Sequence, residues 1–235
     1  MNPSLIANSK LFAGLDGEGL GEVARAAHVT HVAAGETLFE QGDEAVAFYV
    51  LLTGRVKIAQ VTAEGHQVII RYIAPGEVFG AVPLFINTGY PAAAAAVVDS
   101  TAARWDQAAT RSLMERHPRI TANALAIVGV RLQHLHDRYR ELATERVEQR
   151  VARAILRLSQ KAGQRVEEGA QIEFPVTRQD IAEMTGATLF TVSRVMSAWD
   201  QKGVTESGRQ HVIVHDAHAL VRIAEDLAEP PPEEG

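Results

Sequence analysis

The sequence predicts an α+β protein with an N-terminal β-roll, a long helix and a C-terminal winged helix-turn-helix. Three patterns lead to this prediction. Through residues 30–103, glycines recur about every ten positions between short β-rich segments, which is typical of an antiparallel roll or barrel. After Asp106 the apolar residues recur with the period of a helix. Towards the C terminus a capped helix, a glycine turn, a second helix and a hairpin pattern follow one another.

Length and composition narrow the class of protein. The chain has 235 residues, enough for two domains that each bury a core. It has no cysteine, which excludes disulfides, thiolate zinc sites and cysteine-bound iron-sulfur clusters. The apolar stretch at residues 90–98 is too short to span a bilayer, and residues 1–10 do not resemble a signal peptide. We therefore expect a cytoplasmic protein without a membrane partner.

The net charge of -6 argues mildly against a nucleic-acid partner, since phosphate neutralisation favours a basic face. Local placement of charge matters more than the sum, however. Part of the acidic excess lies after Leu227, where glutamates accompany consecutive prolines. This composition predicts a disordered tail over residues 229–235.

The first domain is predicted over residues 1–106. Three segments rich in β-branched and aromatic residues are the clearest strands, namely residues 48–52, 56–61 and 68–73. Glu64 and Gly65 predict the hairpin turn between the last two strands. An N-terminal helix at about residues 16–27 is expected to pack three apolar side chains on the roll, those of Leu15, Leu20 and Val23.

A dimerisation helix is predicted within residues 107–143. Pro118 suits the first turn of a helix that continues to about residue 142, a length of roughly 37 Å. Apolar residues spaced as in a coiled coil form a seam along it, made of Leu125, Val128, Leu132, Leu135, Tyr139 and Leu142. A partner helix is the simplest cover for this seam, and the alternative is burial against the same chain. A second apolar set is expected to pack on the roll: Ile120, Ala124 and Ile127.

The last domain is predicted over residues 144–228. It should begin with a helix at residues 144–162, continue with a loop at 163–169 and reach a short strand at 172–174. Five side chains of that helix are expected to face inward, those of Val147, Val151, Ala154, Ile155 and Leu158.

Residues 177–188 have the pattern of a helix-turn-helix, with a capped first helix, a turn at Gly186 and the cap of the next helix. The second helix should bury Val192, Val195, Met196 and Trp199. Its opposite face carries Leu189, Phe190, Ser193 and Arg194. Exposed leucine and phenylalanine beside arginine indicate a binding partner, although a packing module with a solvated face is the alternative.

Double-stranded DNA is the partner that gives each exposed residue a role. Arg194 can donate two hydrogen bonds to a guanine edge, and Leu189 or Phe190 can pack on thymine methyl groups, with Ser193 on the same base-reading face. Phosphate contacts are expected from Thr177, Arg178, Gln179, Thr188, Thr191 and Arg209. Arg209 belongs to the tip of the hairpin, or wing, predicted over residues 206–214.

About residues 11–227 resemble the Crp/Fnr family of bacterial transcription regulators. The resemblance is carried by residues 35–43, 48–51 and 54–56 in the roll and by residues 177–182 and 191–194 in the helix-turn-helix. It implies a cyclic-nucleotide-binding-like roll and a parallel dimer along the long helix. It also implies a near-palindromic operator read by Arg194 in each half-site, and RNA polymerase as a further partner.

The chain departs from the cyclic-AMP-binding members of this family. Their pocket has a Gly-Glu pair followed by Arg-Ser or Arg-Thr, whereas this chain has Gly80-Ala81 and Pro91-Ala92. Without a carboxylate for the ribose and a guanidinium for the phosphate, a buried cyclic nucleotide would be poorly paired. Cyclic AMP, and a cyclic-nucleotide-binding signalling protein without DNA function, are therefore disfavoured. The effector pocket is expected to involve Gly80, Ala81, Tyr90, Pro91, Ala92, His134 and His136.

The resemblance is closest to the cysteine-free, nitric-oxide-responsive denitrification-type (Dnr/Nnr-like) branch, through the Tyr-Pro-Ala segment at Tyr90 and the Thr-Val-Ser-Arg helix. That branch implies haem as a cofactor. The candidate axial ligands are His28, His31, His66, His134 and His136. A regulator that senses another metabolite, or no effector, is the open alternative.

Two further expectations follow. Many family members carry glutamate at the position of Phe190, so the operator should differ from the common half-site there, with apolar contact replacing a hydrogen bond. The sequence contains no nucleophile with its base, no paired carboxylates and no metal-ligand spacing. We therefore expect that the protein is not an enzyme, and we assign no residues to a metal site.

Overall fold

The computed structural model describes residues 1–86, 88–166 and 169–227, and the chain forms two compact units, Met1–His136 and Asp137–Gly235. The expected tail, 229–235, lies outside the described residues. The units meet inside the long helix, whereas the sequence placed boundaries near residues 106 and 143. The reason is that the start of this helix packs into the core of the first unit, while its end contacts helices of the second.

The first unit contains the predicted β-roll. In chain order it has 3-10 turns Pro3–Leu5 and Lys10–Phe12, α1 (Gly17–Arg25), β1 (His28–Val32), β2 (Thr37–Phe39), β3 (Ala47–Val61), β4 (Gln67–Ile73), β5 (Val78–Phe79), α2 (Val82–Ile86), β6 (Ala93–Asp106), α3 (Gln107–Arg116) and the larger part of α4 (Pro118–Thr144). The antiparallel sheet has the order β1-β6-β3-β4, with β2 paired to β6 and β5 to β3. The roll and the turn at Gly65 are therefore confirmed, and the amide of Gly65 donates to the Thr62 carbonyl at 2.9 Å.

Two predicted strands form one. Residues 48–52 and 56–61 both belong to β3, which pairs along β6 with shifts of register between Leu51 and Val56. Gly54 lies within this irregular stretch with φ +89°, and a Cβ there would lie 2.6 Å from the Asp99 carbonyl oxygen. Glycine therefore lets β3 continue through a close approach to β6, where the sequence suggested a break.

One core cluster of the first unit lies between the roll and the helices, and a second lies inside the roll. Phe12, Phe48 and Trp105 pack together, and the Trp105 indole donates to the Val23 carbonyl at 2.9 Å. Leu15 and Leu20 are half-buried against this cluster, as predicted for the first helix. The second apolar set of the long helix also packs there, with Ile120 buried and Ala124 and Ile127 partly buried.

The segment predicted as the dimerisation helix, residues 107–143, contains two helices separated by a break. α3 ends at Arg116, His117 adopts a non-helical conformation, and α4 begins at Pro118. The break has a local cause, because the residue before a proline is disfavoured in the helical region. The six seam residues of α4 are all exposed, namely Leu125, Val128, Leu132, Leu135, Tyr139 and Leu142. The alternative of a seam buried against the same chain is therefore wrong.

The second unit contains, after the end of α4, α5 (Val147–Ala162), β7 (Gly163–Val166), β8 (Gly169–Ile172), α6 (Arg178–Thr185), α7 (Leu189–Gln201), β9 (Thr205–Ser207), β10 (Val212–Val214) and α8 (Ala217–Ala224). Its sheet has the order β7-β8-β10-β9. The predicted inward residues of α5 are buried except Val147, which is half-buried. α8, which the sequence did not predict, packs on α5.

The loop expected at residues 163–169 and the strand expected at 172–174 are both corrected. Residues 163–166 form β7 and pair with β8, which ends at Ile172. β8 in turn pairs with β10 through Gln171 and Ala170. A polar segment with glycine at both ends has the local pattern of a loop, and its pairing with a strand far along the chain is not visible in that pattern. Among the described helices, none is long and apolar enough to cross a membrane.

Candidate nucleic-acid interface

The helix-turn-helix has the predicted caps. The Thr177 hydroxyl accepts from the Asp180 amide at 3.0 Å, and the Thr177 backbone amide donates to the Asp180 carboxylate at 2.9 Å, forming a capping box for α6. Gly186 has φ 63° and ψ 32°, the left-handed conformation that glycine adopts most easily. The Thr188 hydroxyl then accepts from the Thr191 amide at 3.2 Å and caps α7. These local bonds fix where each helix ends and the next begins.

α7 has one buried and one exposed face, as the sequence predicts. Val192, Met196 and Trp199 are buried, and Val195 is half-buried. On the other face Phe190 is 78% exposed and Leu189 47% exposed. Arg194 is also exposed, and Ser193 is half-buried. The four predicted base-reading residues therefore share one accessible side of the helix.

The predicted wing is the hairpin of β9 and β10. Ser207 pairs with Val212 across it, and the Gly208 amide donates to the His211 carbonyl at 2.9 Å. Arg209 lies exposed in the turn between the two strands. The tip therefore presents a guanidinium to solvent, as a phosphate contact requires.

Arg178 lies in a different environment from the one expected. Its guanidinium is half-buried and donates to the Ser197 hydroxyl at 3.0 Å, the Asp200 carboxylate at 3.1 Å and the Ser207 hydroxyl at 2.7 Å. A fourth, longer bond reaches the Ser193 carbonyl at 3.4 Å. In this structure the side chain connects α6 to α7 and to the wing instead of pointing to solvent.

Asp200 completes this arrangement, and the sequence did not single it out. One carboxylate oxygen accepts from Arg178 and, at 2.6 Å, from Ser207, while the other accepts from the Thr205 hydroxyl at 2.7 Å. Thr205 and Ser207 alternate along β9 and so face the same side. Two hydroxyl residues at alternate positions of a strand, shortly after the aspartate near the end of α7, are the sequence signal that could have revealed these hydrogen bonds. We call Arg178, Asp200, Thr205 and Ser207 the wing clamp.

The other expected phosphate contacts lie at helix starts. Gln179 is exposed, and its amide donates to Glu183 at 2.9 Å on the same helix face. Thr188 is exposed and Thr191 half-buried, with their hydroxyls 2.9 Å apart. These residues surround the N-terminal turns of α6 and α7, whose backbone amides favour anions.

The expected effector residues do not gather around one pocket. Tyr90 is 2% exposed, stacks on Phe39 with ring centroids 3.7 Å apart and donates from its hydroxyl to the Ala47 carbonyl at 2.5 Å. Burial raises the pKa of Tyr90 to about 12. Tyr49 and Phe79 stack beside them with ring centroids 5.2 Å apart. A Cβ at Gly80 would lie 3.3 Å from the Tyr90 ring, so this part of the roll is packed with aromatic rings.

The remaining effector candidates are spread over the first unit. Ala92 is buried and Ala81 half-buried, whereas Pro91, His134 and His136 are exposed. The three other proposed haem ligands, His28, His31 and His66, are exposed as well. These residues do not fit a haem, because an axial imidazole must accompany a cavity that shields the porphyrin. No group of three or more metal-ligating side chains occurs in the described ranges.

Comparisons with known proteins agree with this architecture. A cyclic nucleotide-binding domain model matches residues 29–117, and a Crp-like helix-turn-helix domain model matches residues 149–223. The chain is 23% identical over 220 residues to the CRP-like cAMP-activated global transcriptional regulator of Mycobacterium tuberculosis, covering 94% of this chain and 98% of that protein. It is 29% identical over 194 residues to the cyclic AMP receptor protein of Thermus thermophilus, covering 83% and 87%.

Among solved structures, FixK2 from Bradyrhizobium japonicum superposes with a TM-score of 0.74 at 22% identity, covering 87% of this chain and 99% of that one. At this identity the likeness establishes the fold. Two domain models in this order, together with relatives that span almost the whole chain, show that the protein belongs to the Crp/Fnr family of transcription regulators, and that it is a DNA-binding protein and not an enzyme.

Proposed function

We propose that the protein regulates transcription as a homodimer that binds a near-palindromic operator, with α7 of each subunit in one half-site. The observation that carries the proposal is the exposed face of α7. The capped N termini of α6 and α7 and the wing lie around this face. Arg194 has the donors to read guanine there, and Phe190 offers an apolar surface to a thymine methyl group. RNA polymerase is the further partner that such a regulator needs.

The seam of α4 supports the dimer. Tyr139 is 73% and Leu125 72% exposed, and the four other seam residues of the same helix are exposed with them. A continuous stripe of large apolar side chains in water is unfavourable, and an identical helix from a second copy would cover it. A two-fold dimer places two copies of α7 in a symmetric arrangement, which explains why a near-palindromic operator fits.

The signal is proposed to act on the first unit and to reach DNA through α4, the helix in which the units meet. Two curated relatives are named as cyclic-AMP proteins, which makes this nucleotide a candidate here. The residues argue against it, because Ala81 and Pro91 provide neither carboxylate nor guanidinium. The rings of Phe39 and Tyr90 pack beside Gly80. Nitric oxide sensed through haem stays the prediction from the sequence, and the exposed histidines give it no pocket.

Arg194→Ala should weaken operator binding by about 1–3 kcal/mol and relax selectivity at one base pair of each half-site, because a bidentate reader is lost. Arg209→Ala is the matched control, since a wing-tip phosphate contact should lower affinity for all duplexes and reduce the salt slope by about one. Fluorescence anisotropy would be measured on an operator selected from random duplexes and on its single-base variants. Equal discrimination by wild type and Arg194→Ala would show that Arg194 does not read sequence.

Arg178→Ala and Asp200→Asn should weaken operator binding to a similar extent, because each breaks the wing clamp. Their effects should not add in the double variant, with a coupling of about 0.5–3 kcal/mol. The slope of log affinity against log salt should stay near the wild-type value. Gln201→Ala, at the exposed position next to Asp200 but outside the clamp, is the control. A slope reduced by about one in Arg178→Ala alone would instead identify Arg178 as a phosphate contact.

The double substitution Leu135→Ala/Tyr139→Ala should weaken dimerisation about tenfold or more, because each side chain is removed from both copies of the seam. Sedimentation velocity over a dilution series measures the change, and operator affinity should fall in parallel. Gln133→Ala, on an exposed position of the same helix, should leave the dimer intact. Unchanged sedimentation of the double variant would contradict the seam assignment.

An absorption titration with haem, anaerobically with and without nitric oxide, tests the sensor prediction. Because all five candidate histidines are exposed, we expect no Soret band that saturates at one haem per subunit. A saturable band that shifts with nitric oxide and changes operator binding in parallel would establish the gas sensor, and substitution of each histidine would then identify the ligand. The same titration into buffer without protein gives the reference spectrum of free haem.

A further inference from the structure

Two arginines of the first unit meet at one backbone carbonyl. Arg71 lies on β4 and Arg131 on α4, and both are half-buried. Arg71 donates from Nη2 to the Val78 carbonyl at 3.0 Å, and Arg131 donates from Nη2 to the same oxygen. Each guanidinium has five N–H donors, so this one acceptor uses a small part of their capacity. None of these residues belongs to the effector pocket expected from sequence.

The charges at this point do not balance. Glu77 is the carboxylate that acts on both guanidiniums, and its Oε2 lies 3.8 Å from Nη1 of Arg71, while also accepting from the Ala74 amide at 3.1 Å. Burial lowers the pKa of Arg71. Burial and the neighbouring charge of Arg71 lower the pKa of Arg131 to about 10. Two partly desolvated cations thus share one carboxylate, and a second anion would stabilise them.

We propose that Arg71 and Arg131 form an effector site for a small molecule that carries a phosphate group. The planar fork of arginine matches the geometry of phosphate, and two forks converging from different elements can bind separate oxygens of one group. The assignment rests on the proposed sensory role of the first unit. It places the ligand where Arg71 of β4 and Arg131 of α4 meet at the carbonyl of Val78, the first residue of β5.

The position of Arg131 gives this site a direct connection to dimerisation. The next residue, Leu132, belongs to the exposed seam of α4, and Leu135 follows one turn later. An anion that draws Arg131 towards Arg71 would change the position or rotation of α4 on the roll. A ligand shifts such an equilibrium when it binds one arrangement more tightly than the other. The competing explanation is that the two arginines only hold β4 and α4 to the start of β5 at Val78.

Isothermal titration calorimetry with inorganic phosphate and pyrophosphate tests the site on the full-length protein in phosphate-free buffer at constant ionic strength. We expect saturable binding to wild type, weakened about tenfold or more by Arg71→Gln or Arg131→Gln, since charge-assisted hydrogen bonds are lost. Arg140→Gln is the control, because Arg140 lies exposed on the same helix and pairs with Asp137 at 3.9 Å. Arg131→Lys keeps the charge without the fork and should bind with intermediate affinity.

Circular dichroism and thermal melting in chloride buffer verify that each variant folds. If Arg131→Gln does not fold, Arg71→Gln and Arg131→Lys are enough to test the site. The proposal would be overturned if wild type did not bind phosphate or pyrophosphate saturably. It would also be overturned if the Arg71 and Arg131 variants bound them as tightly as wild type does. Binding of succinate in preference to phosphate would overturn the assigned ligand class. Operator binding is measured separately, so a missing phosphate response leaves the DNA proposal standing, and missing operator binding leaves the anion site standing.

Discussion

α4 has two apolar faces, and this constraint organises the rest of the molecule. One face, through Ile120, is covered by the core of the first unit, whereas the seam that includes Leu125 and Tyr139 is exposed on the single chain. Because one helix carries both faces, its packing on the roll fixes the direction in which the exposed seam points. Any change that rotates α4 on the roll therefore also turns the part of the seam that lies in the first unit.

The wing clamp performs a comparable task inside the second unit. Arg178 and Asp200 are an ion pair with side chains about one quarter exposed, and serine and threonine hydroxyls complete their hydrogen bonds. Such a pair contributes little net stability on its own, since desolvation offsets much of its attraction. Its directional bonds, however, fix the angle between α7 and the wing. The clamp is therefore better explained by the need to hold α7 and the wing, the two elements proposed to contact DNA, in register than by stability.

The sequence predicted those features whose causes are local. The Thr177 and Thr188 caps, the turn at Gly186 and the two faces of α7 follow from neighbouring residues, and the structure contains each of them. The strand β6 was not among the predicted strands, because alanine is uncommon in strands; here small side chains fit where β6 packs between β1 and β3. The hairpin of β7 and β8 depends on pairing with β10, and no local pattern reports that contact.

What the sequence could predict about the effector also depends on whether the cause is local or a contact between distant segments. Local motifs could show that Ala81 and Pro91 lack the groups needed for a cyclic nucleotide, because that conclusion concerns chemistry at known positions. They could not show that Tyr90 and Phe39 stack inside the roll, or that Arg71 and Arg131 converge on Val78, because those contacts join segments far apart in the chain. A family resemblance transfers the architecture through shared patterning, but the ligand is determined by the few side chains that meet in space. For this chain we propose that those side chains are Arg71 and Arg131, which meet at the Val78 carbonyl, and that their charge selects an anionic signal.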